Sequence, residues 1–579
     1  MRTFKYLSII LLAFMFDSCS DFLEPNMDNY KSEEVIERAK NDFMGVLYVT
    51  YESLPKRIDF TYEAATDNAV TNNESTASSR GARGGLTAMN NPFGDTWTNN
   101  YQAINNINWY IERMVLDPTQ TIPTPVRFDL DPDVNMQYFY FTLGEAYFMR
   151  AWFQFDLLQK YGGIAADGKA YGFPISTKYL NTEMNLDQPR NTYEECAKRI
   201  AADCDSAYKY LPLIYSKTNG TLADGLVTES GHASGIAALA LKTRTYLYAA
   251  SPAYNTDNDT EKWRRAAEAG MKAIDAIGFD NLRSFAAYIN KSRLNDGDYT
   301  NPDIFFRGPV QKEVTTYEKE NFPPRAGSGG GYINPSQNLV DAFPMSDGYP
   351  RTASSETKPY DPNNPFKNRD PRLDLFILRS GESFAGISID TEVGGLDGYG
   401  TDVNATRSGY YLQKLLDKNV RIEAGKVVTT SFVTILLGRP ELYLNFAEAV
   451  LMATGNPDDK TYKYSAREAL QMIRNRALGA GKDTYLPLVT SFDAFWNLLK
   501  NERRLDLCFE GHRFWDLRRW RIADKEIETK QYTGLCPYFD INKQKYIFEE
   551  VVANKYYYTY LSYLSEVLLP RQQQKAEFV

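Results

Sequence analysis

Apolar residues recur with the period of an α-helix over 34–54, 97–116, 135–161, 192–211, 232–250, 261–277, 439–454, 464–477 and 491–509. In WTNNYQAINNINWYIERMVL (97–116), the residues Trp97, Tyr101, Ile104, Ile107 and Ile111 fall on one stripe. Leu143, Ala146, Tyr147, Arg150, Ala151 and Phe155 do the same in 135–161, which Gly162-Gly163 brings to an end. Small residues alternate with aromatic ones along these stripes: Ala146 and Ala151, Ala237 to Ala240, Ala447 and Ala449. Small side chains let two helix backbones approach, and Tyr or Phe fills the space beside them. The pattern predicts a mainly α fold: antiparallel helix pairs packed like tetratricopeptide (TPR) repeats, although no strict repeat of about 34 residues is visible.

Between 279 and 438 the pattern changes. Gly, Pro, Asn and Asp crowd into SGGGYINPSQ, MSDGYP, YDPNNPFKNRDP and GGLDGYGTD, with short apolar runs such as DIFFRGPV and LDLFILRS between them. This predicts loop with short strands and no long helix. A second loop-rich stretch, 66–95, interrupts the helices near the N-terminus. The expected organisation is therefore a TPR-like helical part over 19–278, a loop-rich insertion over 279–438, and a C-terminal helical part over 439–579 packed with the first as one body. Long loops in a compact protein usually carry function.

Residues 1–18 read as a signal peptide. Arg2 and Lys5 precede an apolar run, Leu7–Phe16, too short for the roughly 20 residues a membrane-spanning helix needs. Ser18-Cys19 then resembles the cleavage motif of bacterial lipoproteins, in which the cysteine is acylated and becomes the first residue of the mature chain. Asp17 departs from that motif, which prefers a small uncharged residue there; an ordinary signal peptide with an incidental cysteine is the alternative. The remainder is polar, with a mean hydropathy of −0.46 for the whole chain. The net charge of −9 argues against nucleic acid or an anionic membrane surface as a partner. Five cysteines are too few for a disulfide scaffold. Cys196 and Cys204, about 12 Å apart along one helix, read as small apolar packers.

Catalytic chemistry is hard to find. In NERRLDLCFEGHRFWDLRRW (501–520), Glu502, Asp506 and Glu510 share a helix face. Glycoside hydrolysis needs two carboxyls facing each other across a cleft, roughly 5–10 Å apart, with one in an apolar pocket. Carboxylates one turn apart among five arginines read instead as ion pairs that hold a helix and its following turn. Only two histidines occur, His232 and His512, and no HExxH, HxH, CxxC, GxSxG, P-loop or GxGxxG pattern is present. Asp257 and Asp259 lie on an Asn-rich loop that a calcium ion could occupy, but without EF-hand spacing a solvated turn is the plainer reading. The expectation is no enzyme, no cofactor and no metal.

Aromatic content changes the picture. With 41 Tyr, 32 Phe and 7 Trp, aromatics make up 14% of the chain, more Tyr than a core alone calls for. Sugar rings offer apolar C–H faces and paired hydroxyls, which flat aromatic rings flanked by Asp, Asn and Arg can hold. Both loop stretches carry that mixture. Asp67, Asn68, Arg80, Arg83, Asn90 and Phe93 are the ligand-binding candidates of the first, and Phe322, Tyr332, Tyr349 and Tyr399 those of the second.

Several segments, in order, resemble the SusD/RagB family of Bacteroidetes outer-membrane lipoproteins: CSDFLE, WTNNYQAINNIN, GEAYFMRAWFQFDLLQKYGG, TYEECAKRIAADCDSAYKYLP and GHASGIAALALKTRTYLYAASPAYN. The series continues through NPSQNLVDAFPMSDGYP, NRDPRL, SGYYLQK, ELYLNFAEAVLMATG and ERRLDLCFEGHRFWDLRRW. The resemblance covers almost all of the mature chain. It implies a SusD-like TPR-type scaffold with a loop-rich half, anchored through lipidated Cys19 in the outer membrane and facing the exterior. It further implies a hinged lid over a SusC-like TonB-dependent barrel, capturing oligosaccharides or, as in RagB-like members, peptides. Asp21 and Glu24 resemble the family's surface-export signal. A secreted glycosidase is the third reading.

Overall fold

The computed structural model describes residues 31–57, 60–73, 75–80, 91–181, 188–215, 231–285, 301–392, 394–398, 400–522, 532–540 and 545–554. Ten helices carry the argument: α1 (Lys40–Glu52), α2 (Trp97–Arg113), α3 (Pro132–Tyr161), α4 (Tyr193–Tyr210), α5 (Gly235–Ala250), α6 (Thr260–Ile277), α7 (Arg439–Thr454), α8 (Ala466–Leu478), α9 (Phe492–Asp506) and α10 (Arg513–Trp520). Their starts are set by side-chain caps. Asp131 accepts from the backbone N–H groups of Asp133 and Val134 ahead of Pro132 at the first helical position. Thr192 with Glu195, and Ser465 with Glu468, form reciprocal capping boxes. The predicted helix over 34–54 is two, because Ala39 takes an extended backbone (φ −104°, ψ 115°) between Glu33–Arg38 and α1.

Each of α2 to α8 packs on the next. The stack runs on from α6 to α7 although residues 278–438 separate them in sequence. The loop-rich segment is thus inserted between two neighbouring helices, which breaks any fixed repeat period. Ala146, Ala151, Ala237 and Ala447 are fully buried where the helices meet. Cys196 and Cys204 are buried free thiols, as packers should be.

The insertion holds no described helix longer than six residues, and every sheet among the described residues has two strands. The strands used below are β1 (Ala69–Thr71), β2 (Ile304–Arg307), β3 (Ile333–Pro335), β4 (Ile435–Gly438), β5 (Tyr532–Asp540) and β6 (Lys545–Asn554). β2 pairs with β4, so the start and end of the insertion are stitched together. The C-terminal part is not helical throughout, contrary to the sequence expectation. β5 and β6 form an antiparallel hairpin, in keeping with the β-branched and aromatic residues of KYIFEEVVAN.

Two apolar cores result. One lies within the helical stack. The other gathers Phe60 from the helical turn Phe60–Glu63, Ala69 from β1, Phe322, Ile333, Phe343 and Phe376 from the insertion, Leu505 from α9 and Phe509 from the turn after it. Between helices α5 and α7, Arg244 pairs with Glu441 inside the protein, its Nε 2.6 Å from Glu441 Oε1. Burial alone would raise the Glu441 pKa, but Arg244 and His512 outweigh it and hold it at about 2. A folded-state pKa below the unfolded one contributes stability that is present above about pH 4.5 and lost as pH falls towards about 2, on the order of 3 kcal/mol. Acid unfolding followed by circular dichroism is expected to show a shallower loss over that window in Glu441→Gln than in the parent.

Candidate functional site

The carboxylates of 501–520 are ion-paired, and mostly with other segments rather than along their own helix. Glu502, fully buried, receives Arg474 Nη1 at 2.6 Å and also Arg372. Asp506 is bound by Arg372 and Arg476, and Glu510 by the buried Lys414 at 2.6 Å. Arg503 and Arg519 each reach Asp516 at 2.8 Å, and Arg519 also holds Glu448. These groups fasten the insertion and α7 to α9 and α10. No carboxyl here faces another across a cleft.

Asp67 belongs to the same fastening. Its carboxylate accepts from Arg513 Nε and Nη2, both at 2.9 Å, and pairs with Arg504 at 3.0 Å. Burial raises its pKa, but the two guanidiniums outweigh burial and hold it well below the usual carboxylate range. Asn68 is fully buried: its amide donates to Glu63 Oε1 (2.6 Å), and its oxygen accepts from Arg504 Nε (2.7 Å). Both sequence-predicted ligand residues are therefore committed to joining the N-terminal loop to α9 and α10. Phe322 is 1% exposed and packs edge-on against Phe384 in the second core. It offers no platform to a ligand.

The remaining described candidates lie nearer the surface. Phe93 is half-buried and stacks on Tyr62 with ring centres 4.9 Å apart. Tyr349, also half-buried, sits 4.9 Å from the ring of Tyr485. Arg80 is exposed and its Nη1 donates to the Ser75 carbonyl, and Tyr332 is half-buried. The helical turn Ala77–Arg80 lies on Tyr332 through a 3.1 Å hydrogen bond between the Ser78 and Tyr332 hydroxyls. Arg83, Asn90, Tyr399 and Cys19 lie outside the described residues.

What unites the two predicted loops is a seam. β1 pairs antiparallel with β3, Ala69 opposite Pro335 and Thr71 opposite Ile333. Ser336 then bonds back to Asp67 O and Asn68 O. Beyond the strands, Asn72 donates to the carbonyls of Gly330 (2.7 Å) and Asn404 (3.0 Å). Arg407 closes the seam by donating to Asn72 O from Nε (3.3 Å) and Nη2 (3.0 Å). Gly331 makes this approach feasible. Its φ is +51°, and a Cβ there would stand 2.0 Å from the Asn404 carbonyl oxygen.

Arg407 is half-buried and has no carboxylate partner among the described residues; neither has Arg80. A half-buried tyrosine ring can stack an apolar ring face, and guanidiniums without a carboxylate partner among the described residues can donate hydrogen bonds to hydroxyls or carboxylates. Sequence reasoning missed Arg407, although it immediately precedes the quoted SGYYLQK segment. The Asn-rich loop after α5 is satisfied internally: Asp259 caps α6, and Asn255 bonds to the loop backbone.

The profile of the SusD family matches residues 288–575. The chain belongs to the SusD family. A second profile of that kind, described as starch-binding and associating with the outer membrane, matches residues 21–247. A SusD-like protein from Bacteroides fragilis shares the fold with a TM-score of 0.71 at 23% identity, over 94% of this chain and 96% of that one. A SusD-like carbohydrate-binding protein from the same species gives 0.65 at 18%, over 90% and 96%. Surface glycan-binding protein A from Bacteroides fluxus gives 0.54 at 16%, over 88% and 94%. No curated protein sequence matches this chain. The SusD-like, TPR-type architecture expected from the sequence is the one observed, and none of the helices described is long and apolar enough to cross a membrane.

Proposed function

We propose that this SusD-family chain is a surface glycan-binding lipoprotein that captures oligosaccharides for a SusC-like TonB-dependent transporter and closes over it as a lid. The observation that carries the reading is the seam itself, where two loop-rich segments converge: Tyr332 is held by Ser78 of the Ala77–Arg80 turn, and Arg407 is held by Asn72, which follows β1. Its groups suit ring stacking and charge-assisted hydrogen bonding, which supports binding as its role. Arg80 and Arg407, which have no carboxylate partner among the described residues, also suit peptide carboxylates, which keeps the RagB-like alternative as the second reading.

Affinity electrophoresis of the mature protein through gels containing a panel of neutral and acidic polysaccharides tests this, with a peptide-library binding assay beside it. Retardation by at least one polysaccharide is expected. Retention by peptides alone would transfer the role to peptide capture. For the anchor, cells fed radiolabelled palmitate are expected to label the parent chain and not Cys19→Ala. Equal labelling of both would remove Cys19 as acyl acceptor.

A further inference from the structure

A cavity lies on the helical half, in the cleft between α1 and α3, and none of its lining residues belongs to the seam. It measures ≈ 170 Å³ and is walled by Tyr48, Tyr138, Phe141 and Tyr215, with Lys40 and Glu145 among its lining residues. The space far exceeds the roughly 30 Å³ that one water occupies. Glu145 has only 4% of its side chain exposed. One oxygen is 3.0 Å from His232 Nδ1, and the other accepts from the Tyr51 hydroxyl at 3.1 Å. Tyr51 in turn accepts the Ala233 N–H (3.1 Å) and stacks against His232. The carboxylate is thus fixed by α1 and the segment ahead of α5, with one hydrogen bond on each oxygen and a further lone pair on each.

We infer that this cavity binds a single neutral hexose unit, distinct from the glycan taken at the seam. Of the aromatic lining, Tyr48, Phe141 and Tyr215 can meet the C–H surface of a sugar ring, and a rigid buried carboxylate can accept from two neighbouring hydroxyls. Lys40 supplies a donor on the same lining. Its Nζ lies 4.5 Å over the Tyr138 ring, so a positive charge already covers an aromatic face, which disfavours an ammonium ligand and favours an uncharged one. A water-filled packing gap needs no such set. The inference shares with the proposed function only the premise that the protein handles sugars.

The test titrates the mature protein with free glucose, galactose, mannose and N-acetylglucosamine by saturation-transfer NMR and calorimetry. At least one hexose is expected to bind saturably, about tenfold more weakly to Glu145→Gln and not at all to Asn41→Trp. Asn41 is exposed and lines the cavity, so that variant blocks the space without disturbing the core, even if Glu145→Gln fails to fold. Binding by none of the four sugars, binding that survives Asn41→Trp, or competition by methylammonium would overturn the inference. Hexose binding in a protein that no polysaccharide retards would uphold it while removing the proposed function.

Discussion

Asp67→Ala is expected to destabilise the fold by about 3–5 kcal/mol while leaving the glycan affinity of the folded protein nearly unchanged. Removing one partner of a buried ion pair strands the other charge in a poorly hydrated site, and that penalty exceeds the net worth of the intact pair. Here two guanidiniums, Arg504 and Arg513, meet at one carboxylate that is itself 10% exposed. They join the N-terminal loop to α9 and α10, so the loss reaches both apolar cores. Urea unfolding followed by tryptophan fluorescence reads the stability, and calorimetry with a bound oligosaccharide reads the affinity. A small stability change with a large affinity loss would return Asp67 to the ligand site that the sequence suggested for it.

That contrast shows where sequence reasoning ends. The helices were legible because their stripes, caps and stop signals are local: the capping boxes at Thr192 and Ser465 sit within four residues of what they cap. Asp67 was not, because its two partners lie more than four hundred residues away. A loop aspartate beside an asparagine looks the same whether it faces solvent or an arginine pair. Phe322 was misread for a similar reason: loop composition places a residue between elements, not at the surface, and the insertion builds a core of its own. The seam was half legible. Both loop stretches stood out, but the β1–β3 pairing that joins them spans residues 69 to 335, and short strands leave almost no periodic trace. Arg407 entered only through Asn72, a contact no local pattern encodes.

Gly331→Ala is the second large effect. The substitution forces a side chain into the left-handed region at φ +51° and drives its Cβ onto the Asn404 carbonyl, a backbone atom that cannot swing away. Strain and overpacking together place the cost at about 2–4 kcal/mol. Unlike Asp67→Ala, this change also moves the 404–407 segment off β3, and with it the guanidinium of Arg407. Folded Gly331→Ala protein is therefore expected to bind oligosaccharide at least tenfold more weakly. Unfolding curves and calorimetry on the same preparation separate the two losses. An unaltered affinity in the folded variant would mean that the seam's geometry does not serve binding.

The most direct test of glycan capture at the seam is calorimetric titration of the oligosaccharide unit from the most strongly retarding polysaccharide into the parent, Tyr332→Ala and Arg407→Ala proteins. The account predicts saturable binding to the parent, a loss of tenfold or more in each variant, and unfolding midpoints close to the parent's. Undiminished binding in both variants would contradict it.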